Sequence, residues 1–290
     1  MKDQRLSRRK VLTGAAGLTA WGLAGLPDLN AASSDETDFP IAACDWTLKK
    51  RANKGSFAVA DKIGLDGVQV SLGTVGDNMK LRRPEVRKKF LEAARKHDQK
   101  VASLAIAGLN RVPLKGDDPR PEKWIRDSAE ACAAMGADVV LLAFFGDGEI
   151  LKDKKGRQRV ADKMKRLAPA AEEAGVVFGV ESTLNADQHM RLLDEINSPA
   201  VKVYYDVGNM THRGYDVPAE IRQLGDRICE VHIKDRKDLY GRGEVDFPAV
   251  KKALDDIGYR DWLVMEGTKT PMGLVDSFRY DAKYLRKLFR

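Results

Sequence analysis

Short apolar runs recur along this chain at a spacing that fits one strand plus one helix, and this rhythm constrains the fold more than any other feature. Eight runs can be read: IAACDWTL (41–48), LDGVQVSL (65–72), VASLAIAGL (101–109), DVVLLAFFG (138–146), VVFGVES (176–182), VKVYYDVGN (201–209), ICEVHIKD (228–235) and WLVMEGT (262–268). They are apolar on both faces, as strands of a parallel sheet are when both faces are covered. We therefore expect eight buried parallel strands.

Helical patterns separate these runs, and five are clear: 84–97, 122–136, 159–175, 248–258 and 274–290. The first begins at Pro84 and the second ends at Gly136, which suit a helix start and a helix end. Eight strands that alternate with helices predict the α/β class and a single-domain (β/α)8 TIM barrel over residues 40–290. An open doubly wound sheet is the alternative, but CDWTLKKRANKG after the first run is not a glycine-rich phosphate loop.

The beginning of the chain has the composition of a targeting segment. SRRKVL leads into an uncharged apolar stretch from Val11 to Leu26, and small residues follow it. A basic start, an apolar centre and a small-residue exit are typical of an export signal, and the adjacent Arg8 and Arg9 indicate the twin-arginine type. We expect a signal peptide over residues 1–32, a linker over 33–39 and a periplasmic or otherwise exported protein. An uncleaved membrane anchor is the alternative.

Charge and cysteine content exclude other classes of protein. The formal net charge is +7, with both signs interspersed and no basic run interleaved with aromatic residues. We therefore expect no nucleic-acid partner. Cys44, Cys132 and Cys229 are widely spaced and form neither a disulfide framework nor a CxxC pair, so we expect buried free thiols.

Polar residues stand near the ends of the last four runs. They are Glu181, Asp206, His232 and Glu266. The C-terminal ends of barrel strands meet at one mouth, so three carboxylates and one imidazole are expected in one pocket. Clustered carboxylates repel one another and lose hydration, so they need a cation. This donor set suits one divalent ion, with Mn²⁺ as our first choice and Mg²⁺, Co²⁺ or Zn²⁺ as alternatives. A purely structural role in capping strands or pairing with Lys and Arg is the other interpretation.

The motifs that contain these four residues, GVES, YYDVGN, VHIKD and LVMEGT, resemble the metal-binding strand ends of the xylose isomerase-like superfamily of sugar phosphate isomerases and epimerases. The resemblance extends from about residue 40 to the C-terminal end. It implies that Glu181, Asp206, His232 and Glu266 bind the metal and that both glutamates also transfer protons. Relatives that epimerise ketohexoses often have a histidine where this chain has Asn209, so a ketohexose specificity is not carried over.

This site predicts chemistry next to a carbonyl group. A divalent ion that binds a carbonyl oxygen and the neighbouring hydroxyl makes the intervening C–H bond more acidic. One glutamate can then remove the proton and the other can return it, through an enediolate. We expect a metal-dependent sugar isomerase or epimerase, with a small carbohydrate as its partner. A keto-sugar or 3-keto-glycoside lyase or hydratase with the same metal site is the alternative.

The sequence also bears on two functions of other classes, a DNA-repair endonuclease and a carbohydrate-binding protein. The DNA-repair endonucleases of the same superfamily build a trinuclear zinc site from several histidines, and this chain has 4 histidines that are mostly misplaced for one. A carbohydrate-binding protein with an inactive site stays open, although the two glutamates speak against it. The sequence also leaves a homo-oligomer open, and it predicts membrane contact only in transit, through the signal peptide.

Other residues are predicted to bind substrate. Lys234 shares strand parity with His232 and so points toward the mouth, where a salt bridge to a ligand carboxylate is the alternative. Trp46, at the end of the first strand, could stack on a sugar face or serve as part of the core.

The segment after Asp206 supplies two further candidates for substrate binding. Asn209 and His212 are expected in a loop that follows this strand, close enough to the mouth to contact the substrate. The remaining histidines, His97 and His189, fall in helical patterns, and we expect them on the surface.

Overall fold

The computed structural model describes residues 39–235 and 238–289, and within them eight parallel strands close into a barrel. The strands are β1 (Ile41–Cys44), β2 (Gly67–Ser71), β3 (Lys100–Ile106), β4 (Val139–Ala143), β5 (Val177–Glu181), β6 (Val201–Asp206), β7 (Ile228–Ile233) and β8 (Leu263–Met265). Each pairs with its neighbour in sequence, and β8 pairs with β1. The predicted single-domain (β/α)8 barrel is therefore confirmed, and the open doubly wound sheet is wrong.

Nine α-helices lie in the described ranges. They are α1 (Ser56–Ile63), α2 (Pro84–Lys96), α3 (Arg120–Ala134), α4 (Lys154–Ala174), α5 (Ala186–Ile196), α6 (Val207–His212), α7 (Val217–Leu224), α8 (Phe247–Asp256) and α9 (Leu274–Leu288). The five predicted helices correspond to α2, α3, α4, α8 and α9. The sequence patterns did not predict α1, α5, α6 and α7, which fill the other crossovers.

The main apolar core lies between the barrel and the surrounding helices. On β2, for example, Val68 and Val70 belong to this core and are fully buried. The residue between them, Gln69, is also fully buried, but it hydrogen-bonds to Ser103 on β3 and Tyr204 on β6. A side chain of β2 can contact β6 only through the barrel interior, so the interior contains a polar layer as well as apolar side chains.

The cysteines agree with the expectation from their spacing. Cys44, Cys132 and Cys229 are buried free thiols. Among the described residues, no helix combines the length and the apolar composition that crossing a bilayer requires. The expected signal peptide over residues 1–32 lies outside the described residues.

Candidate active site

Four strand ends converge at the C-terminal mouth of the barrel. Glu181 and Asp206 are the last residues of β5 and β6, His232 lies near the end of β7, and Glu266 directly follows β8. Each contributes one potential ligand atom, and these atoms all lie within 4.8 Å of one another. Glu181, Asp206 and His232 are buried, whereas Glu266 is half-buried. The fold therefore brings together the four residues that the sequence proposed as one site.

His232 is the centre of this cluster, which we call the carboxylate–histidine cluster: Glu181, Asp206, His232 and Glu266. Its Nδ1 lies 3.0 Å from Oε1 of Glu181 and 3.8 Å from Oε2 of Glu266. Burial alone would lower the pKa of His232, but the carboxylates of Glu181 and Glu266 outweigh burial, so that its pKa is raised. The imidazole thus faces a concentration of negative charge.

Lys234 supplies a positive charge to the cluster. Its Nζ lies 2.6 Å from Oε2 of Glu266 and 3.3 Å from Oδ2 of Asp206, and it donates to Oδ1 of Asn209 at 3.2 Å. Burial opposes the charged form, but Asp206 and Glu266 outweigh it and raise the pKa of Lys234. The side chain points toward the mouth, as strand parity predicts, and it forms the salt bridges that were the alternative to substrate binding.

Asp206 has a second structural role that the sequence interpretation missed. It is the N-cap of α6, since its carboxylate accepts a hydrogen bond from the backbone N–H of Asn209 at 2.8 Å. The expectation that Asn209 and His212 lie in a loop is therefore wrong, because the capped backbone turns into a helix at once. Burial raises the pKa of Asp206 to about 6, and the nearby Lys234 opposes this shift.

Gly208 explains why this helix can lie so close to the cluster. A Cβ atom at this position would lie 2.5 Å from the backbone oxygen of Lys234. Only glycine allows α6 to pack this closely against the end of β7. The glycine of YYDVGN therefore allows the first turn of α6, which Asp206 caps, to lie against Lys234.

Trp46 lies beside the cluster, at the end of β1. Its indole Nε1 donates to Oε1 of Glu266 at 3.3 Å, and its ring centroid is 6.2 Å from that of His232. The preceding residue, Asp45, is fully buried and accepts hydrogen bonds from Ser71 and Ala52, which hold this turn in place. Stacking of Trp46 on a sugar stays a prediction.

A cavity of about 390 Å³ opens beside the cluster. Its lining residues are Phe145, Thr183, Asn209, His212, Arg213, Lys234 and Glu266. Three of the predicted substrate-binding residues, Lys234, Asn209 and His212, therefore border one space together with Glu266. The sequence interpretation missed Phe145, Thr183 and Arg213. A useful signal was available for Phe145 and Thr183, because both lie just beyond the ends of β4 and β5.

Of the two histidines expected on the surface, one is buried and the other is partly exposed. His189 is fully buried, with Nε2 2.9 Å from Oγ of Ser182, so its predicted exposure is wrong. The reason is its position on the inner face of α5, in line with Leu193 and Ile196. His97 is partly exposed and lies 2.9 Å from a carboxylate oxygen of Asp61.

The donor set of the cluster fits a divalent cation. Three carboxylates and the single ammonium of Lys234 leave a formal charge of −2 around a neutral His232. Buried charge of one sign is costly unless it is neutralised. Carboxylate oxygens with one imidazole nitrogen are ligands that Mn²⁺, Mg²⁺, Co²⁺ and Zn²⁺ accept. The residues present therefore match the ion that the sequence implied, in charge and in donor type.

Comparison with known proteins identifies the family. A family model described as xylose isomerase-like TIM barrel matches residues 57–288. The chain therefore belongs to this family, as the strand-end motifs predicted.

Individual relatives are sugar epimerases and a dehydratase. The L-ribulose-5-phosphate 3-epimerase UlaE of Escherichia coli is 24% identical over 218 residues, which cover 69% of this chain and 77% of that protein. Inosose dehydratase of Klebsiella pneumoniae is 29% identical over 202 residues, 58% of this chain and 64% of that protein. Both relatives support an enzyme of this broad class.

A solved structure shows the same fold. The D-psicose 3-epimerase of Clostridium cellulolyticum, determined with D-tagatose, superposes with a TM-score of 0.73. It is 15% identical, and the match covers 87% of this chain and 99% of that one.

Proposed function

We propose that this member of the xylose isomerase-like family is a divalent-metal-dependent sugar isomerase or epimerase. It moves a proton on the carbon next to a carbonyl group, through an enediolate. The observation that carries the proposal is the convergence of Glu181, Asp206, His232 and Glu266 within 4.8 Å at the barrel mouth. Similarity to L-ribulose-5-phosphate 3-epimerase supports a carbohydrate substrate of this kind.

The four residues of the carboxylate–histidine cluster would hold one ion, with Mn²⁺ as first choice. A bound ion supplies a Lewis acid that polarises the carbonyl of the substrate and stabilises negative charge on its oxygen. The −2 charge of the cluster together with Lys234 attracts such an ion. The same charge would disfavour an enediolate in the absence of a cation.

Glu181 and Glu266 are the proposed proton-transfer groups. Glu181 is buried beside His232, whereas Glu266 borders the cavity. Contacts from Lys234 and from the Trp46 N–H hold the carboxylate of Glu266 in place at the border of the cavity. A general base must lie within reach of the substrate, so one of these two carboxylates removes the proton. The second glutamate then returns the proton, to the opposite face in epimerisation or to the neighbouring carbon in isomerisation.

Four other residues have proposed roles in substrate binding. Lys234, Asn209 and His212 line the cavity and can donate hydrogen bonds to substrate oxygens. Trp46 lies against Glu266 and can pack on the apolar face of a sugar. Each role depends on where the substrate lies in the cavity.

A keto-sugar or 3-keto-glycoside lyase or hydratase is the second candidate. Similarity to inosose dehydratase favours it, because a dehydratase removes a leaving group. The same proton abstraction at the cluster would start that reaction. The two candidates differ only in whether a group in the β position leaves before the proton returns.

Export is part of the proposal and rests on the sequence of residues 1–32. The double replacement Arg8→Lys and Arg9→Lys should keep the protein in the cytoplasm, since the twin-arginine pathway reads this pair. Fractionation of cells that express the wild type and the double variant measures this. Unchanged export of the double variant would contradict the twin-arginine assignment.

A substrate screen in D₂O tests the proposed reaction. The chelator-treated protein is reloaded with Mn²⁺ and incubated with ketoses, ketose phosphates and 3-keto-glycosides. We expect deuterium on the carbon next to the carbonyl in at least one of them, because proton removal and return expose that position to solvent. An epimer or isomer identifies the first candidate, and an unsaturated or hydrated product identifies the second. A protein that binds Mn²⁺ but neither incorporates deuterium into any of these classes nor forms an unsaturated or hydrated product contradicts both.

A further inference from the structure

The second ring nitrogen of His232 has a partner that belongs to none of the strand-end motifs. Nε2 of His232 lies 2.9 Å from Oε1 of Gln69, which reaches it from β2 across the barrel interior. Both side chains are completely buried. Water therefore does not compete for this nitrogen. Among the described residues, Nε2 faces Oε1 of Gln69 at 2.9 Å and, farther away, the thiol sulfur of Cys44 at 3.5 Å. The shorter contact, with Gln69, decides whether Nε2 carries a hydrogen.

The amide of Gln69 is held by contacts at both ends. Its Nε2 donates to Oγ of Ser103 and to Oη of Tyr204, both at 2.9 Å. Its Oε1 accepts from the thiol of Cys44 at 3.2 Å. A carbonyl oxygen accepts and never donates, so the group that faces it on His232 must be an N–H. This orientation requires the Nε2–H form of the imidazole.

We propose that Gln69 is a positioning residue that holds His232 in the Nε2–H tautomer, so that the lone pair of Nδ1 faces the carboxylates as a metal ligand. With the amide reversed, the NH₂ group would donate to Nε2 and the ring hydrogen would move to Nδ1. His232 would then donate to Glu181 at 3.0 Å, as a salt-bridge partner without a free lone pair. The inference rests on the proposed metal-dependent function.

The ring of His232 is also fixed in orientation. The ring of Tyr204 packs against it at a centroid distance of 4.4 Å, and its hydroxyl bonds to Gln69. Tyr204 therefore supports both the ring and the amide that selects its tautomer. Such outer partners of a metal-bound histidine raise its ligand strength, and their loss typically costs about 10–100-fold in metal affinity.

Two measurements test this inference, and the first needs no metal. Nitrogen-15 NMR reports which ring nitrogen carries the hydrogen, and with 4 histidines in the chain the signals can be assigned by single replacements. The spectrum is recorded on chelator-treated protein at a pH where His232 is neutral. We expect the Nε2–H form in the wild type and a shift toward the Nδ1–H form in Gln69→Leu, where Glu181 is the remaining acceptor. A wild type in the Nδ1–H form overturns the inference.

The second measurement is the affinity for Mn²⁺ by titration calorimetry. Gln69→Leu should bind Mn²⁺ about 10–100-fold more weakly than the wild type, because it removes the acceptor at Nε2. Gln69→Glu keeps an acceptor at this position and should bind within a few-fold of the wild type. Gln99→Leu is the matched control, since the side chain of Gln99 donates to the backbone oxygen of Leu65, away from the mouth, and it should bind as the wild type does.

The outcomes separate this inference from the proposed function. Equal Mn²⁺ affinity in Gln69→Leu and Gln99→Leu overturns the role of Gln69. A wild type that binds no Mn²⁺ contradicts the proposed function instead, and the tautomer of the metal-free protein still decides the present inference. If Gln69→Leu does not fold, two other results decide the role of Gln69. They are the tautomer of His232 in the wild type and the Mn²⁺ affinity of Gln69→Glu.

Discussion

Two regions of this barrel each bury a histidine, and the two side chains are in opposite electrostatic situations. At the mouth, the carboxylates of Glu181 and Glu266 raise the pKa of His232 despite its burial. On α5, burial lowers the pKa of His189 to about 4, and its Nδ1 has no hydrogen-bond partner among the described residues. The comparison shows that burial alone does not mark a functional histidine.

The difference comes from what the fold places around each ring. His189 lies on a helix face and contacts the hydroxyl of Ser182, so the neutral ring is part of the core. His232 lies on a strand end, where the barrel geometry collects the polar termini of neighbouring strands. Burying several charged groups together is unfavourable in free energy, so charged surroundings indicate a binding site, whereas neutral surroundings indicate packing.

The largest expected effect concerns the proton-transfer groups of the mouth. Glu266→Gln should reduce turnover toward the upper end of the 10²–10⁴-fold range of general acid–base catalysis, because it removes the basic carboxylate while preserving shape. If Glu181 alone removes the proton, this variant should still exchange substrate deuterium with solvent without forming product. Glu181→Gln should then lose both exchange and turnover. Near-normal rates in both variants, with metal present, would contradict the two-glutamate mechanism.

Metal binding should distinguish the two histidines sharply. His232→Ala should weaken Mn²⁺ binding by at least about 100-fold, since loss of a direct ligand should exceed the effect of an outer partner. His189→Asn is the matched control and should bind Mn²⁺ as the wild type does. Calorimetric titration of the chelator-treated proteins measures both. Equal Mn²⁺ affinity in His232→Ala and His189→Asn would contradict the proposal that His232 is a metal ligand and His189 is not.

The pH dependence of the free energy of unfolding should show that the pKa of His189 is lowered in the folded protein. Its folded pKa of about 4 lies below the ordinary value of 6.5, so the unfolded chain binds a proton that the folded chain excludes. The stabilising contribution is complete above pH 6.5 and is lost as the pH falls toward 4. The loss should approach about 3 kcal/mol, at 1.36 kcal/mol per pKa unit. Denaturant unfolding of the wild type and of His189→Asn between these pH values measures this loss. If the free energy of unfolding changed equally with pH in both proteins, the lowered pKa of His189 would be contradicted.

The smallest expected effect has the opposite sign. Lys234→Met removes a positive charge that lies 2.6 Å from Glu266 and 3.3 Å from Asp206. It should tighten Mn²⁺ binding by at least about fivefold, because two unit charges 4 Å apart interact by about 1 kcal/mol even in water. Turnover should fall at the same time if Lys234 also binds substrate. Weaker Mn²⁺ binding in this variant would show that Lys234 supports the metal site rather than competing with it.

The fold and the main cluster could be predicted because both depend on local patterns. Each buried parallel strand is a continuous apolar run, and the polar residue at its end marks the mouth. The four residues of the cluster therefore followed from strand order alone. The cap of α5 could also have been read, because Asn185 and Gln188 form a capping box.

Other features depend on contacts between distant parts of the chain. The helix after Asp206 is only 6 residues long and carries no periodic pattern. The burial of His189 depends on which face of α5 meets the barrel. Gln69 could not be recognised, because an isolated glutamine in an apolar run gives no sign of its partner, His232, which lies 163 residues further along the chain.

We propose above that four strand ends at the barrel mouth hold one divalent ion. Anomalous diffraction from crystals grown with Mn²⁺, recorded at the manganese edge, tests it most directly. We predict one strong peak per chain, within bonding distance of Glu181, Asp206, Glu266 and Nδ1 of His232. A mouth without a peak, in crystals where Lys234 still bridges Asp206 and Glu266, would contradict a metal site at these four residues.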